Sequence, residues 1–234
     1  MNAELLGLGV MWYVVFLFSL TCHEASHALA AKLGGDLTAF HGGQVTLNPI
    51  PHMRREPFGT IVFPLLSYAV GGWMIGWGSA PYDPRWQYRY PRRAAAMALA
   101  GPLANVALLM MAAVAIHIGI TTGMFSEPGS ARFTQVVAST SAGFPEALAT
   151  FFSILFSLNL LLAAFNLLPI PPLDGHTAVG LLLSEDGARR FAALGHNQSL
   201  AVIGLLVGWR IFGYLFHPMF LLALNVLYPG ASYH

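Results

Sequence analysis

Charge is the scarcest property of this 234-residue sequence: 9% of its residues are Asp, Glu, Lys or Arg, against roughly 25% in a typical soluble domain. Eleven Lys and Arg nearly balance ten Asp and Glu, with no basic run that could follow a phosphate backbone, so nucleic acid is excluded as a partner. A single cysteine, Cys22, rules out an internal disulfide. No internal repeat, low-complexity tract or soluble domain interrupts the chain. No Lys or Arg precedes the first apolar run and no small-residue cleavage site follows it, so that run is expected to stay as a helix. What is abundant is apolar: 56% of residues are hydrophobic and the mean hydropathy is +0.62, which places the chain in a lipid bilayer.

A membrane span needs about 20 predominantly apolar residues. Apolar runs of that order extend over 5–33, where Glu24 and Lys32 fall in the second half, and, without Asp, Glu, Lys or Arg, over 58–78, 94–121 and 147–168; a last apolar stretch over 200–227 holds Arg210 and Pro218. The expected fold is an all-α polytopic bundle of about five to six transmembrane helices. Between the first two runs, "GGQVTLNPIPHM" (42–53) has the glycine start, β-branched alternation and Asn-Pro stop of a short β-hairpin or edge strand. The stretch "GSAPYDPRWQYRYPRR" (78–93) has the Trp, Tyr and Arg content of a membrane-water interface. Residues 175–196 read as an amphipathic helix. If the loops alternate sides, Arg85, Arg89, Arg92, Arg93, Arg189 and Arg190 share the side of the N-terminus, which makes the N-terminus cytoplasmic.

The first run is apolar from Leu5 to Cys22 and then carries "HEASH" (23–27). On a helix, residues four apart share a face, so His23 and His27 can reach one metal ion while Glu24 stands beside them, within reach of a metal-bound water. Ionisable groups inside a membrane are costly, and binding a metal lowers that cost for its ligands. A hydrolytic zinc site needs a third protein ligand and one open position. The candidate is Asp174, in "NLLPIPPLDG" (166–175), where Pro169, Pro171 and Pro172 end the fourth run. The same aspartate could instead be the N-cap of a helix starting near Gly175. Asn105, Asn159 and Asn166 are amides inside spans and need hydrogen-bond partners there. His41 and His52 read as loop residues near the mouth of the site, and His117, His196 and His217 as packing or interface residues.

Taken together, "HEASHALAAKLGG" (23–35), "LNPIPH" (47–52), "EPFGT" (56–60), "AGPLAN" (100–105) and "NLLPIPPLDG" resemble the site-2 protease family of intramembrane zinc metalloproteases. The likeness covers nearly the whole chain and is closest to the compact prokaryotic branch without PDZ or CBS domains. It implies a single intramembrane metalloprotease domain over 1–234, one Zn²⁺ held by His23, His27 and Asp174, and Glu24 as the catalytic acid-base group. It also implies that Asn105 and Asn166 position substrate or stabilise an oxyanion. The loop "HMRREPFG" (52–59) departs from the shorter His-x-Asp-Pro run common in that branch.

The expected reaction is hydrolysis of a peptide bond in a membrane-embedded protein or peptide. Such a substrate must unwind before its carbonyl is accessible, and Gln44, Val45, Thr46 and Leu47 are expected to hold the unwound segment by strand addition. The localisation implied is a prokaryotic cell membrane, crossed several times. Two other classes compete: a catalytically inactive relative that binds membrane proteins, and a membrane metal-binding or transport protein. A carrier would need repeated ligands along a path, whereas the ionisable residues here converge on one point.

Overall fold

The structure, a computed structural model, describes residues 3–195, 197–231 and 233; His196 lies outside the described residues. The chain is mostly helical: α1 (Ala3–Leu33), α2 (Thr38–His41), α3 (Pro49–Arg55), α4 (Phe63–Gly71), α5 (Pro84–Arg89), α6 (Pro91–Thr121), α7 (Phe144–Asn166), α8 (Asp174–Ala178), α9 (Glu185–Leu194) and α10 (Gln198–Leu227). Among the described residues four helices are long and apolar enough to cross a membrane: Leu5–Leu33, Pro91–Thr121, Phe144–Asn166 and Gln198–Leu227. The polytopic helical architecture is as expected, with one crossing fewer than the minimum count of five.

The run that does not cross is 58–78. Its helical part, a π-helical turn at Phe58–Val62 followed by α4, is shorter than the ~20 residues a span requires. It stops at Gly72, whose left-handed φ of 74° turns the chain back. Contacts along α1 track the reversal. The Tyr68 hydroxyl donates to the Leu5 carbonyl near the start of α1 at 3.0 Å. On the return, Gly76 lies against Phe16 and Gly78 against Glu24. The Trp77 N–H then bonds the Gly59 carbonyl at 3.1 Å, and the Ser79 hydroxyl donates to Glu56 Oε1 at 2.6 Å. Residues 58–83 thus form a re-entrant hairpin with one helical leg and one non-helical leg.

The expected strand at 44–47 is a correction too: these residues form bends between α2 and α3. Asn48-Pro49 is a helix start, not a strand stop. The Asn48 side chain accepts the Ile50 N–H at 3.0 Å and Pro49 takes the first helical position, where its missing N–H costs nothing. The β-hairpin sits after the second crossing instead, with β1 (Phe125–Ser126) antiparallel to β2 (Ala138–Ser139).

Within the bilayer, helices gain little from excluding water and associate by close packing. Ala28 and Ala31 of α1 and Ala94, Ala95 and Ala98 of α6 are almost completely buried, small enough to let helix surfaces meet. Larger core residues, including Trp12, Phe16, Ile116, Ile154, Leu224 and Tyr228, fill the half of the bundle nearer the N-terminus. At the opposite end, Gly34, just past α1, gives its carbonyl to Trp86 Nε1 (3.0 Å) and Arg93 Nη1 (3.1 Å), and Arg189 Nε donates to the Tyr88 carbonyl. The loops at 34–57, 79–90 and 167–195 therefore share one end. Lys32, Arg54, Arg55, Arg85, Arg89, Arg92, Arg93, Arg189 and Arg190 gather there, while Arg132 lies beyond α6 at the other end. Because the hairpin returns to its starting side, the alternation of loops assumed in the arginine count does not occur.

Candidate metal centre

His23 and His27 face the interior from successive turns of α1, and both are more than nine-tenths buried. Their rings meet edge to face with centroids 4.6 Å apart. Each ring is anchored through Nδ1. His27 Nδ1 is 2.8 Å from the Met97 carbonyl of α6, which can only accept, so Nδ1 carries a proton and the neutral ring has its lone pair on Nε2. His23 Nδ1 lies 2.6 Å from Asn105 Oδ1, another acceptor. The two Nε2 atoms are then left 3.0 Å apart, and Asp174 Oδ2 stands 3.1 Å from one and 3.3 Å from the other.

Three lone-pair atoms this close repel one another unless a cation lies among them. Asp174 Oδ2 is buried without a hydrogen bond and faces the two Nε2 atoms. The helix containing Asp174 has Leu173 as its N-cap and no side-chain cap bond, so the capping alternative is not realised. Gly101, on α6, adds a second sign. A Cβ on it would collide with His27 Nε2 and lie 2.6 Å from His23 Nε2, in the volume an ion would fill. A tetrahedral ion with bonds of about 2.0–2.1 Å holds neighbouring donors about 3.3 Å apart, and the observed spacings match. His23, His27 and Asp174 are the one metal-capable cluster of His, Cys, Asp and Glu among the described residues.

Glu24 is 5% exposed and forms part of the wall of a cavity of about 790 Å³, as do His23, His27 and Asp174. The return leg of the hairpin, residues 75–80, lines the same cavity, and Leu205, Leu206 and Trp209 of α10 close another side. Trp209 stacks on Trp73 at the hairpin tip with ring centroids 5.7 Å apart. The hairpin is clasped at its base by Asp36, whose carboxylate accepts the Thr38 hydroxyl (2.6 Å) and the N–H groups of Thr38 (2.9 Å) and Asp83 (2.8 Å). Burial pushes the Asp36 pKa up, but these three hydrogen bonds outweigh it and hold the carboxyl below its usual value.

Asn166 borders the cavity and gives one N–H to the Leu162 carbonyl of its own helix at 3.0 Å. Asn105 does not border it: it is fully buried beneath His23, and its Nδ2 donates to Asn159 Oδ1 at 2.8 Å. Both ends of that amide are engaged, so the expected oxyanion role for Asn105 is a correction. Of residues 44–47, Gln44 is buried and props the return leg through a 3.4 Å bond from Nε2 to the Ser79 carbonyl. His52 is buried against the Thr46 carbonyl, 3.1 Å from Nε2, while His41, His117 and His217 are exposed. Sequence reasoning missed Gly101 and Gly78; the one available signal was a glycine four residues before a buried asparagine, in "GPLAN".

A metal-capable cluster beside a buried carboxylate, opening on a cavity at membrane depth, is the arrangement of a membrane-embedded metallohydrolase. Residues 11–207 match the model of Peptidase family M50, and the chain belongs to this family, the site-2 protease family. It is 32% identical over 215 residues to the "Putative zinc metalloprotease YwhC" of Bacillus subtilis (strain 168), covering 91% of this chain and 87% of that protein. It is also 32% identical over 202 residues to the "Putative zinc metalloprotease Rip2" of Mycobacterium tuberculosis (strain ATCC 25618 / H37Rv), covering 86% and 67%. The protein of the same name from Mycolicibacterium smegmatis (strain ATCC 700084 / mc(2)155) is 29% identical over 201 residues, covering 86% and 68%. No solved structure matches the chain.

Proposed function

We propose that residues 1–234 act as a single intramembrane zinc metalloprotease domain that cuts membrane-embedded proteins. The observation that carries this reading is the convergence of His23 Nε2, His27 Nε2 and Asp174 Oδ2 beside Glu24. These three residues would hold one Zn²⁺. When bound, the ion supplies Lewis acidity, lowering the pKa of a coordinated water and polarising the scissile carbonyl. Glu24 takes the proton of the attacking water and returns it to the leaving amine. Asn166, with one N–H committed to Leu162 O, offers its other to the developing oxyanion. An inactive relative would have no need of Glu24 at the cavity wall.

A membrane-spanning substrate presents no free backbone until it unwinds. Residues 75–80, non-helical and next to Glu24, are in the position to receive its N–H and C=O groups by strand addition, taking the role expected of 44–47. The chain is a membrane protein, and we assign it to a prokaryotic cell membrane. With nine Lys and Arg gathered at one end of the bundle (Lys32, Arg54, Arg55, Arg85, Arg89, Arg92, Arg93, Arg189 and Arg190), the positive-inside bias makes that end cytoplasmic and puts the N-terminus across the membrane from it. This reverses the orientation counted from alternating loops.

Zinc per chain and cleavage of a transmembrane peptide, measured on purified variants, test the reading. Glu24→Gln should keep its zinc and lose about 10²–10⁴-fold in turnover. Asp174→Asn should lose most of both, since a neutral amide is a poor substitute for an anionic donor. Wild-type zinc and cleavage in Asp174→Asn would remove the site.

A further inference from the structure

We propose that Asn159, held by the Leu155 carbonyl and touching no metal donor, sets the tautomer of His23 through Asn105. This inference rests on the reading of His23, His27 and Asp174 as a metal centre. The two imidazoles are anchored differently. His27 Nδ1 meets a backbone carbonyl directly, and a carbonyl can only accept. His23 Nδ1 meets a side-chain amide, and an amide can present either an oxygen or an NH₂ group. If Asn105 turned its NH₂ toward His23, it would favour the proton on Nε2, the atom that must carry a lone pair to bind an ion.

Asn105 does not choose freely. Its Nδ2 donates to Asn159 Oδ1 at 2.8 Å. Asn159 in turn gives its own Nδ2 to the Leu155 carbonyl at 2.8 Å and to Ser19 Oγ at 2.9 Å. The Leu155 carbonyl accepts only, so the NH₂ of Asn159 must face it, its oxygen must face Asn105, and the oxygen of Asn105 must face His23. A fixed acceptor on α7 thus determines the protonation of a ring on α1 by way of α6. Ser19, Asn105 and Asn159 are all completely buried, so no solvent competes for these bonds. Metal-ligating histidines commonly depend on such partners, and losing one typically lowers metal affinity 10–100-fold. An interhelical tie alone would need the bonds but not their direction.

Direction can be tested apart from tying. Zinc affinity is measured by competition on the purified apo protein in detergent, with the absorption spectrum of bound Co²⁺ as a second readout and thermal melting as the measure of tying. Asn159→Leu should bind zinc about 10-fold more weakly, because Asn105 can then flip, and Asn105→Leu should lose 10–100-fold. Asn159→Asp still presents an oxygen to Asn105; it should keep zinc affinity within about threefold even where it lowers the melting temperature. In an Asn105→Asp background, where position 105 has no NH₂ to turn, Asn159→Leu should change affinity less than about threefold. Equal losses from Asn159→Leu in both backgrounds, or equal losses from Asn159→Asp and Asn159→Leu, would overturn the proposal. If Asn159→Leu does not fold, Asn159→Asp against Asn105→Leu carries the same test, and similar zinc affinity in those two overturns it. A wild-type chain that binds no zinc, or His23→Ala binding it as tightly as wild type, would bring down the metal-centre reading itself; normal wild-type binding with an unaffected Asn159→Leu brings down the relay alone.

Discussion

α7 and α10 are both long and apolar, with mean hydropathies of 2.1 and 1.7, yet 56% of the most apolar part of α7 is buried inside the protein and 17% of that of α10. The difference lies in what each helix uses for contact. α7 buries Ser153, Ser157 and Asn159 completely, and Ser153 Oγ accepts the N–H groups of Val136 and Val137 while donating to the Ala149 carbonyl. α10 instead approaches the Pro171 carbonyl at Gly204, where a Cβ would collide with it, and lays Trp209 on Trp73. Helices α1, α6 and α7 are thus joined by directional bonds around the proposed metal centre. α10 and the re-entrant hairpin close the cavity largely by fit. Changes in the first group should alter metal binding, and changes in the second should alter catalysis or stability with the metal in place.

The sharpest break in that division is Gly101→Ala. A single methyl group in the space facing both Nε2 atoms should reduce zinc to background and cleavage with it, although no donor is changed. Metal analysis of the purified variant decides the matter, and full occupancy would mean that α1 and α6 separate more readily than their packing indicates.

Gly78→Ala probes the hairpin side. Its Cβ would stand 2.8 Å from Glu24 Cγ and 2.9 Å from Oε1, pushing the proposed proton carrier off position. A misplacement of about 1 Å can cost about 10²-fold in rate, so kcat should drop 10–100-fold while zinc stays bound. Loss of zinc in this variant would show that hairpin and metal centre form one unit.

The smallest effect belongs to the clasp at Asp36. Its pKa is lowered in the folded protein, so its contribution to stability is complete above the unfolded value near 3.8 and disappears as pH falls through the lower folded value. Melting temperature should therefore fall in strong acid, and Asp36→Asn should lower it at neutral pH by an amount equivalent to about 1–3 kcal/mol. Unchanged melting in Asp36→Asn would leave the hairpin held by packing and its other hydrogen bonds, among them Tyr68 to Leu5 and Ser79 to Glu56.

Much of the centre was legible because its spacing is dictated by helix geometry: His23 and His27 are one turn apart, and a carboxylate just after a proline-terminated helix stands out in so uncharged a chain. Gly101 and Gly78 were not legible, because their contribution is the absence of atoms and depends on which helix lies opposite. Asn159 read only as an amide in need of a partner; the order of donors and acceptors across three helices gives it a direction. The hairpin was counted as a span because hydropathy records how apolar a segment is and not where it turns. Asn48-Pro49 read as the end of a strand, although the same pair suits a helix start, and local capping decided for the helix.

The turn at Gly72 also fixes a parity. With the hairpin entering and leaving by the same face, α1, α6, α7 and α10 make an even number of crossings, and Leu5 and Leu227 come to the same face. A fifth crossing would have separated them. Reporters attached at either end of the chain should therefore sense one compartment, and that compartment lies across the bilayer from the arginine-rich loops.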